Sequence, residues 1–251
     1  MKENFYVHNT DKLVNLKNDS FILKSDWGKR HLVKYKESII YHEIYTRKDY
    51  FRKFCIIKPG DIVVDCGGNI GIFTSMAFDM GASRVLSFEP FLINYEINKK
   101  NNPNAEVFNL AVFDNSDEEI ELLYTESNNG GHTIIQSEIN NKELITGHYK
   151  HKDIFVKTIN LNDIISRNFI EKIDFLKIDT EGAELKIIDG ISDEKLNKIR
   201  NISLEYHNSV FNFDENIYNN FLNRFIKLGF NTYTWKMDKY TRMIYITKEK
   251  I

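Results

Sequence analysis

The ten residues from Ile62 to Gly71, Ile-Val-Val-Asp-Cys-Gly-Gly-Asn-Ile-Gly, limit the fold more than any other stretch. An apolar strand runs into an acid and then into a turn with almost no side chains. Gly67 and Gly71 take left-handed dihedrals at no steric cost, and Asn69 is the residue type that tolerates them best after glycine. Ile70, Phe73, Ala77 and Met80 then follow helical spacing until Gly81 ends the run. Strand, tight turn and helix make the opening unit of a doubly wound α/β sheet, whose ligand crevice lies beyond the carboxyl ends of its strands.

Spacing selects the ligand. A dinucleotide fingerprint places glycines at relative positions one, three and six, but from Gly67 this chain offers Gly67, Asn69 and Ile72. A phosphate loop ends in Gly-Lys-Ser/Thr, and no lysine occurs between Asp65 and Thr74. What remains, acid-x-Gly-x-Asn-x-Gly from Asp65 to Gly71, suits the amino-acid end of S-adenosylmethionine. Gly67, Gly68, Asn69 and Gly71 would approach that end, and Asp65 would help hold its ammonium. A second acid is then expected at the next strand tip to accept from the ribose hydroxyls. The segment Arg84-Val85-Leu86-Ser87-Phe88-Glu89-Pro90 supplies Glu89 at that place.

Helix and strand alternate through the rest of the chain, which predicts a mostly parallel sheet. Residues 1–55 read as an N-terminal cap, with short strands at 21–23 and 32–35 and a helix over 41–54. Residues 56–251 form the main domain. Strands are expected at 105–109, 155–159, 173–178 and 202–206, and helices at 92–100 and 161–168. An insert over 114–153 holds a short strand near 121–124 and a polar loop around Gly130-Gly131-His132. Asp214 caps a last helix whose Ile217, Tyr218, Phe221, Leu222, Phe225 and Ile226 form an apolar stripe up to Gly229. Segments 230–235 and 242–246 close the sheet as an antiparallel pair.

With Asn109-Leu110-Ala111-Val112, Lys177-Ile178-Asp179-Thr180-Glu181-Gly182-Ala183-Glu184 and Leu204-Glu205-Tyr206-His207, these motifs resemble the FkbM family of S-adenosylmethionine-dependent methyltransferases. The resemblance runs from Lys58 to His207. It departs from the family at Cys66-Gly67-Gly68, where Val-Gly-Ala is commoner. It implies a Rossmann-like class I methyltransferase sheet and methyl transfer to a hydroxyl, on a sugar or a polyketide. It also adds Pro90, Asn109 and Ala111 to the cofactor residues.

Methyl transfer from a sulfonium needs donor and acceptor aligned and the acceptor's proton removed. His207, with an ordinary pKa of about 6.5, is the natural base if neutral. Asp179 and Glu181 would orient the hydroxyl, hold the imidazole or act as the base, and His132 is a rival. Plainer roles compete: Lys177 snorkelling from a buried strand, Glu184 as a first-turn helix acid, His207 satisfied by backbone. Asp179, Glu205 and His207 also suit Mg²⁺ or Mn²⁺, although the expectation here is a site without metal. Adenine methylation wants an Asn or Asp-Pro-Pro-aromatic turn where this chain has Asp179-Thr180-Glu181-Gly182, so nucleic acid is not the expected acceptor. The alternative to an enzyme is a scaffold that binds the cofactor without turnover.

Composition adds bounds. The 251 residues are 42% hydrophobic, enough for one core, and the net charge of −2 gives no general attraction to nucleic acid or anionic lipid. Between Lys24 and Lys58, ten Lys or Arg stand against four Asp or Glu. That run reads as a solvated face, or else as a surface for an anionic glycan carrier. Two cysteines, Cys55 and Cys66, and no stretch near the ~20 apolar residues of a membrane span lead to a cytoplasmic expectation.

Overall fold

A computed structural model describes residues 14–16, 20–24, 30–34, 38–123, 154–167, 170–207, 215–238 and 241–249, with side chains from Ile40 onward. Strands β1 (Val14–Leu16), β2 (Ser20–Lys24) and β3 (Arg30–Lys34) pair antiparallel as a small sheet. The helix expected over 41–54 is shorter and earlier. It starts as α1 (Ser38–Tyr41), continues as a π-helical stretch (His42–Arg47) and stops where Lys48 turns left-handed at φ 55°. That break lets the following residues turn inward: Tyr50, Phe51 and Cys55 are buried.

The main sheet then unfolds in alternation: β4 (Ile62–Cys66), α2 (Ile72–Asp79), β5 (Arg84–Phe88), α3 (Leu92–Asn101) and β6 (Glu106–Phe108). Next come β7 (Ala111–Val112), β8 (Glu119–Glu121), β9 (Phe155–Ile159), α4 (Leu161–Arg167) and β10 (Ile173–Ile178). The chain continues through α5 (Glu184–Asp189), α6 (Asp193–Leu196), β11 (Ile199–His207), α7 (Glu215–Lys227), β12 (Asn231–Lys236) and β13 (Thr241–Thr247). Seven strands lie in the order β12-β13-β11-β10-β4-β5-β6. The last five are parallel, and β13 and β12 close one edge antiparallel. This is the α/β class and the terminal pair expected from sequence.

All six residues of β10 are buried, as a central parallel strand requires. One face of the sheet is covered by α4 to α7, through Ile164, Ile187, Leu196 and Phe225 among others. The other face is covered by α2 together with Tyr41, Ile44, Tyr50, Phe51, Cys55 and Ile57 from the N-terminal segment. Phe51 stacks on Phe73 with centroids 5.7 Å apart and lies 5.6 Å from Phe175. Each such buried ring contributes roughly 1.5–3 kcal/mol.

Gly81 and Gly229 end α2 and α7 with φ +95° and +81°, as expected, and the Phe230 N–H donates back to the Phe225 carbonyl at 3.0 Å. The stripe on α7 is narrower than expected: Tyr218, Phe221 and Phe225 are buried, whereas Ile217 and Ile226 are exposed. The short strand of the insert lies at 119–121 rather than 121–124, where Ile120 pairs with Val156. The β7 segment, parallel to β9, carried no strand expectation. Asp214, His132 and the polar loop lie outside the described residues.

Candidate active site at the strand tips

Register brings the site together. Cys66 is level with Phe88 and with Ile178, and Ile178 is level with Leu204. The residues that follow, Gly67, Glu89, Asp179 and Glu205, therefore emerge side by side along one edge of the sheet.

On the β4–β5 side the site is made by backbone. Gly67 has φ +79°, and a Cβ there would sit 1.8 Å from the Asp179 carbonyl oxygen. Gly71 has φ +86°, and a Cβ would sit 2.2 Å from both Asn98 Oδ1 and Asn102 Nδ2. At Gly68 a Cβ would meet Ser87 Oγ at 2.1 Å. The turn is thus pressed between the β10 tip and the polar residues of α3. Asn69 takes φ +48°. Its N–H donates to Glu89 Oε2 at 2.8 Å, while the Phe91 N–H donates to Oε1 at 2.8 Å. Burial pushes the Glu89 carboxyl up to about 7 against the pull of those two donors. Asn109 donates to the carbonyls of Glu89 and Pro90 at 3.0 and 2.8 Å, so it holds the loop after β5. The Ala111 side chain is buried in the core.

Asp65 sits beneath the turn, fully buried. Its Oδ2 accepts from Thr74 at 2.8 Å and from Ser87 at 3.3 Å. Its Oδ1 has no hydrogen-bond partner and lies 3.3 Å from Lys177 Nζ. Lys177 does not snorkel outward. Its ammonium donates to the Gly67 carbonyl at 2.6 Å and lies 3.5 Å from Asp179. Burial works against that charge, but Asp65 and Asp179 keep the pKa above its ordinary value.

On the β10–β11 side the site is made by side chains. His207 is almost fully buried. Its Nδ1 meets Glu184 Oε1 at 3.2 Å, and its Nε2 faces Glu181 Oε2 at 3.6 Å, Glu205 Oε1 at 3.7 Å and Asp179 Oδ1 at 4.0 Å. Glu184 is the first-turn acid foreseen for α5, accepting from the N–H groups of Thr180 and Gly182, and it also fixes the imidazole. Burial opposes a charge on the ring, yet Glu181, Glu184 and Glu205 outweigh it and hold His207 well above its usual range. Burial likewise pushes Glu181 up to about 7 and Glu205 up to about 8. Single donor atoms of Asp179, Glu181 and His207 lie within 4.8 Å of one another, a spacing that could hold a metal ion.

Sequence reasoning missed Tyr50. Its hydroxyl lies 2.7 Å from Asp179 Oδ2 and 2.8 Å from Glu205 Oε2, tying the N-terminal segment to two strand tips. No spacing signal links Tyr50 to residues more than a hundred positions away. Of the described cations in the basic run, Arg47 pairs with Asp49 and Glu43, Arg52 lies over the Trp235 and Tyr245 rings, and Lys58 pairs with Glu249.

Residues 65–232 match the profile of the methyltransferase FkbM domain. The chain is 29% identical over 195 residues to the 31-O-demethyl-FK506 methyltransferase FkbM of Streptomyces tacrolimicus, covering 67% of this chain and 74% of that one. It is 26% identical over 200 residues to the AMB antimetabolite synthetase AmbE of Pseudomonas aeruginosa, spanning 67% of this chain but only 9% of that much longer protein. A solved structure, methyltransferase FkbM from Methylobacillus flagellatus KT, is 16% identical with a TM-score of 0.48, covering 82% of this chain and 47% of that one. Among the described residues no helix is long and apolar enough to cross a membrane.

Proposed function

The chain belongs to the FkbM methyltransferase family, and on that premise we propose that it moves the methyl group of S-adenosylmethionine to a hydroxyl, most simply of a sugar or glycan. The residues present suit that cofactor. Glu89 offers an acceptor for hydroxyls at the second strand tip, and Gly67 and Gly71 form a turn in which no Cβ fits. Asp65, sealed under the turn, acts by positioning: it anchors Thr74 in the first turn of α2 and holds Lys177 against the Gly67 carbonyl. Gly68, Asn69, Pro90, Asn109 and the Ala111 backbone complete the cofactor side. When bound, the cofactor supplies an electrophilic methyl on a sulfonium.

The chain must then orient a hydroxyl and take its proton. The observation that carries this reading is the convergence of Asp179, Glu181, Glu205 and His207 next to the glycine turn. Asp179 and Glu181 orient the acceptor. Methyl transfer would exchange the S–C bond for an O–C bond and release the hydroxyl proton into this cluster, where Glu205 Oε1, like Asp179 Oδ1 and Glu181 Oε2, receives no hydrogen bond among the described residues. The buried negative charge of these tips disfavours an anionic group at the reacting centre. Oxygen as the acceptor atom is supported by the name of the S. tacrolimicus relative, a methyltransferase for an O-demethylated product.

Incubation with S-adenosylmethionine and a panel of glycans, scored by S-adenosylhomocysteine release, tests the proposal. Release with a neutral sugar hydroxyl is the expected result. Cofactor binding with no release from any acceptor would instead support the scaffold reading.

A further inference from the structure

We infer that the β10 and β11 tips hold one divalent metal ion, ligated by Asp179, Glu181 and His207. The inference rests on the methyl-transfer reading for what the ion does, but not for whether it binds.

The donor atoms are arranged for it. His207 is nine-tenths buried, with 9% of its surface exposed. The Glu184 carboxylate on Nδ1 fixes the ring so that Nε2 points into the cluster. Asp179 and Glu205 each spend one oxygen on the Tyr50 hydroxyl and turn the other toward Nε2. Separations of 3.6, 3.7 and 4.0 Å from Nε2 to the three carboxylates are too long for hydrogen bonds. Among the described residues no hydrogen bond reaches Nε2, Asp179 Oδ1, Glu181 Oε2 or Glu205 Oε1. Ligands about 2.1 Å from a shared ion stand roughly 3.0 Å apart when adjacent and 4.2 Å apart when opposite; Nε2 lies 3.6 Å from Glu181 and 4.0 Å from Asp179, inside that range, and all three donor atoms lie within 4.8 Å of one another.

Charge agrees with geometry. Five carboxylates, of Asp65, Asp179, Glu181, Glu184 and Glu205, crowd one imidazole and one ammonium in a largely buried space, an excess of acidic groups that a dication would reduce. One imidazole with two carboxylates suits an oxygen-preferring divalent ion of the Mn²⁺ or Mg²⁺ type. Glu205 Oε1 stays beside the ion to receive a proton. An acceptor hydroxyl on an open coordination position would be easier to deprotonate, and His207 would then be a ligand rather than the base.

The chelator-treated 251-residue chain should be titrated with Mn²⁺ alone, following free Mn²⁺ by electron paramagnetic resonance. The expected result is one site per chain, with echo-modulation coupling to an imidazole ¹⁴N in the wild type. Glu181→Gln and Asp179→Asn should each weaken binding at least tenfold, with folding checked by circular dichroism. Absence of binding, absence of the nitrogen coupling, or binding unchanged in both variants would overturn the inference. S-adenosylhomocysteine binding, measured separately, keeps the two ideas apart: cofactor without Mn²⁺ removes only the ion, and Mn²⁺ without cofactor removes the methyl-transfer reading.

Discussion

The two halves of the strand-tip crevice are built from different materials. Around β4 and β5 the chain uses backbone: left-handed glycines, and N–H groups that aim Glu89. Around β10 and β11 it uses side chains: Asp179, Glu181, Glu184, Glu205, His207 and, from far away in sequence, Tyr50. A half made of backbone tolerates almost no added volume, so damage there should reach folding and cofactor affinity. A half made of side chains can lose one functional group and still stand, so damage there should reach turnover alone.

The sharpest way to break this contrast is Gly67→Ala. Its methyl would overlap the Asp179 carbonyl and its φ of +79° is strained for any L side chain, so we expect a loss of at least about 3 kcal/mol in urea denaturation. A stability near wild type would show that the turn is looser than described. Next in size, His207→Ala should cut turnover on any acceptor found by roughly 100-fold or more, with S-adenosylhomocysteine affinity unchanged. A parallel loss of affinity would erase the division between the halves. Glu89→Ala should weaken cofactor binding about tenfold or more by calorimetry, since it removes a charged hydrogen-bond acceptor, while the protein stays folded.

The smallest effect sharpens the picture of Glu89 itself. Its folded pKa of about 7 lies above the model-compound value of 4.5, so its contribution to stability is complete below about 4.5 and is lost as pH rises through about 7. Relative to Glu89→Gln, the wild type without cofactor should therefore gain a few degrees in Tm between pH 8 and pH 5. A constant difference across that range would mean that Glu89 is not held in a desolvating site.

The same division explains what the sequence disclosed. Backbone requirements are local, so the Asp65 to Gly71 turn and Glu89 at the next strand tip could be read from spacing, and the α/β order followed from them. The β9 and β10 strands lie at the expected residues because their apolar runs leave little choice. Side-chain constellations depend on register across the sheet. Glu184 looked like an ordinary helix acid because its contact with His207 spans 23 residues, and Tyr50 gave no signal because its partners lie 129 and 155 residues away. The early end of the π-helical stretch was equally hidden, since Lys48 carries no composition cue for a left-handed turn.

Titration calorimetry of the folded, purified chain with S-adenosylhomocysteine tests the central claim most directly. We expect one site per chain, weakened in Glu89→Ala and unchanged in His207→Ala. No measurable heat from the wild type, or equal weakening in both variants, would contradict a crevice whose glycine half holds the cofactor.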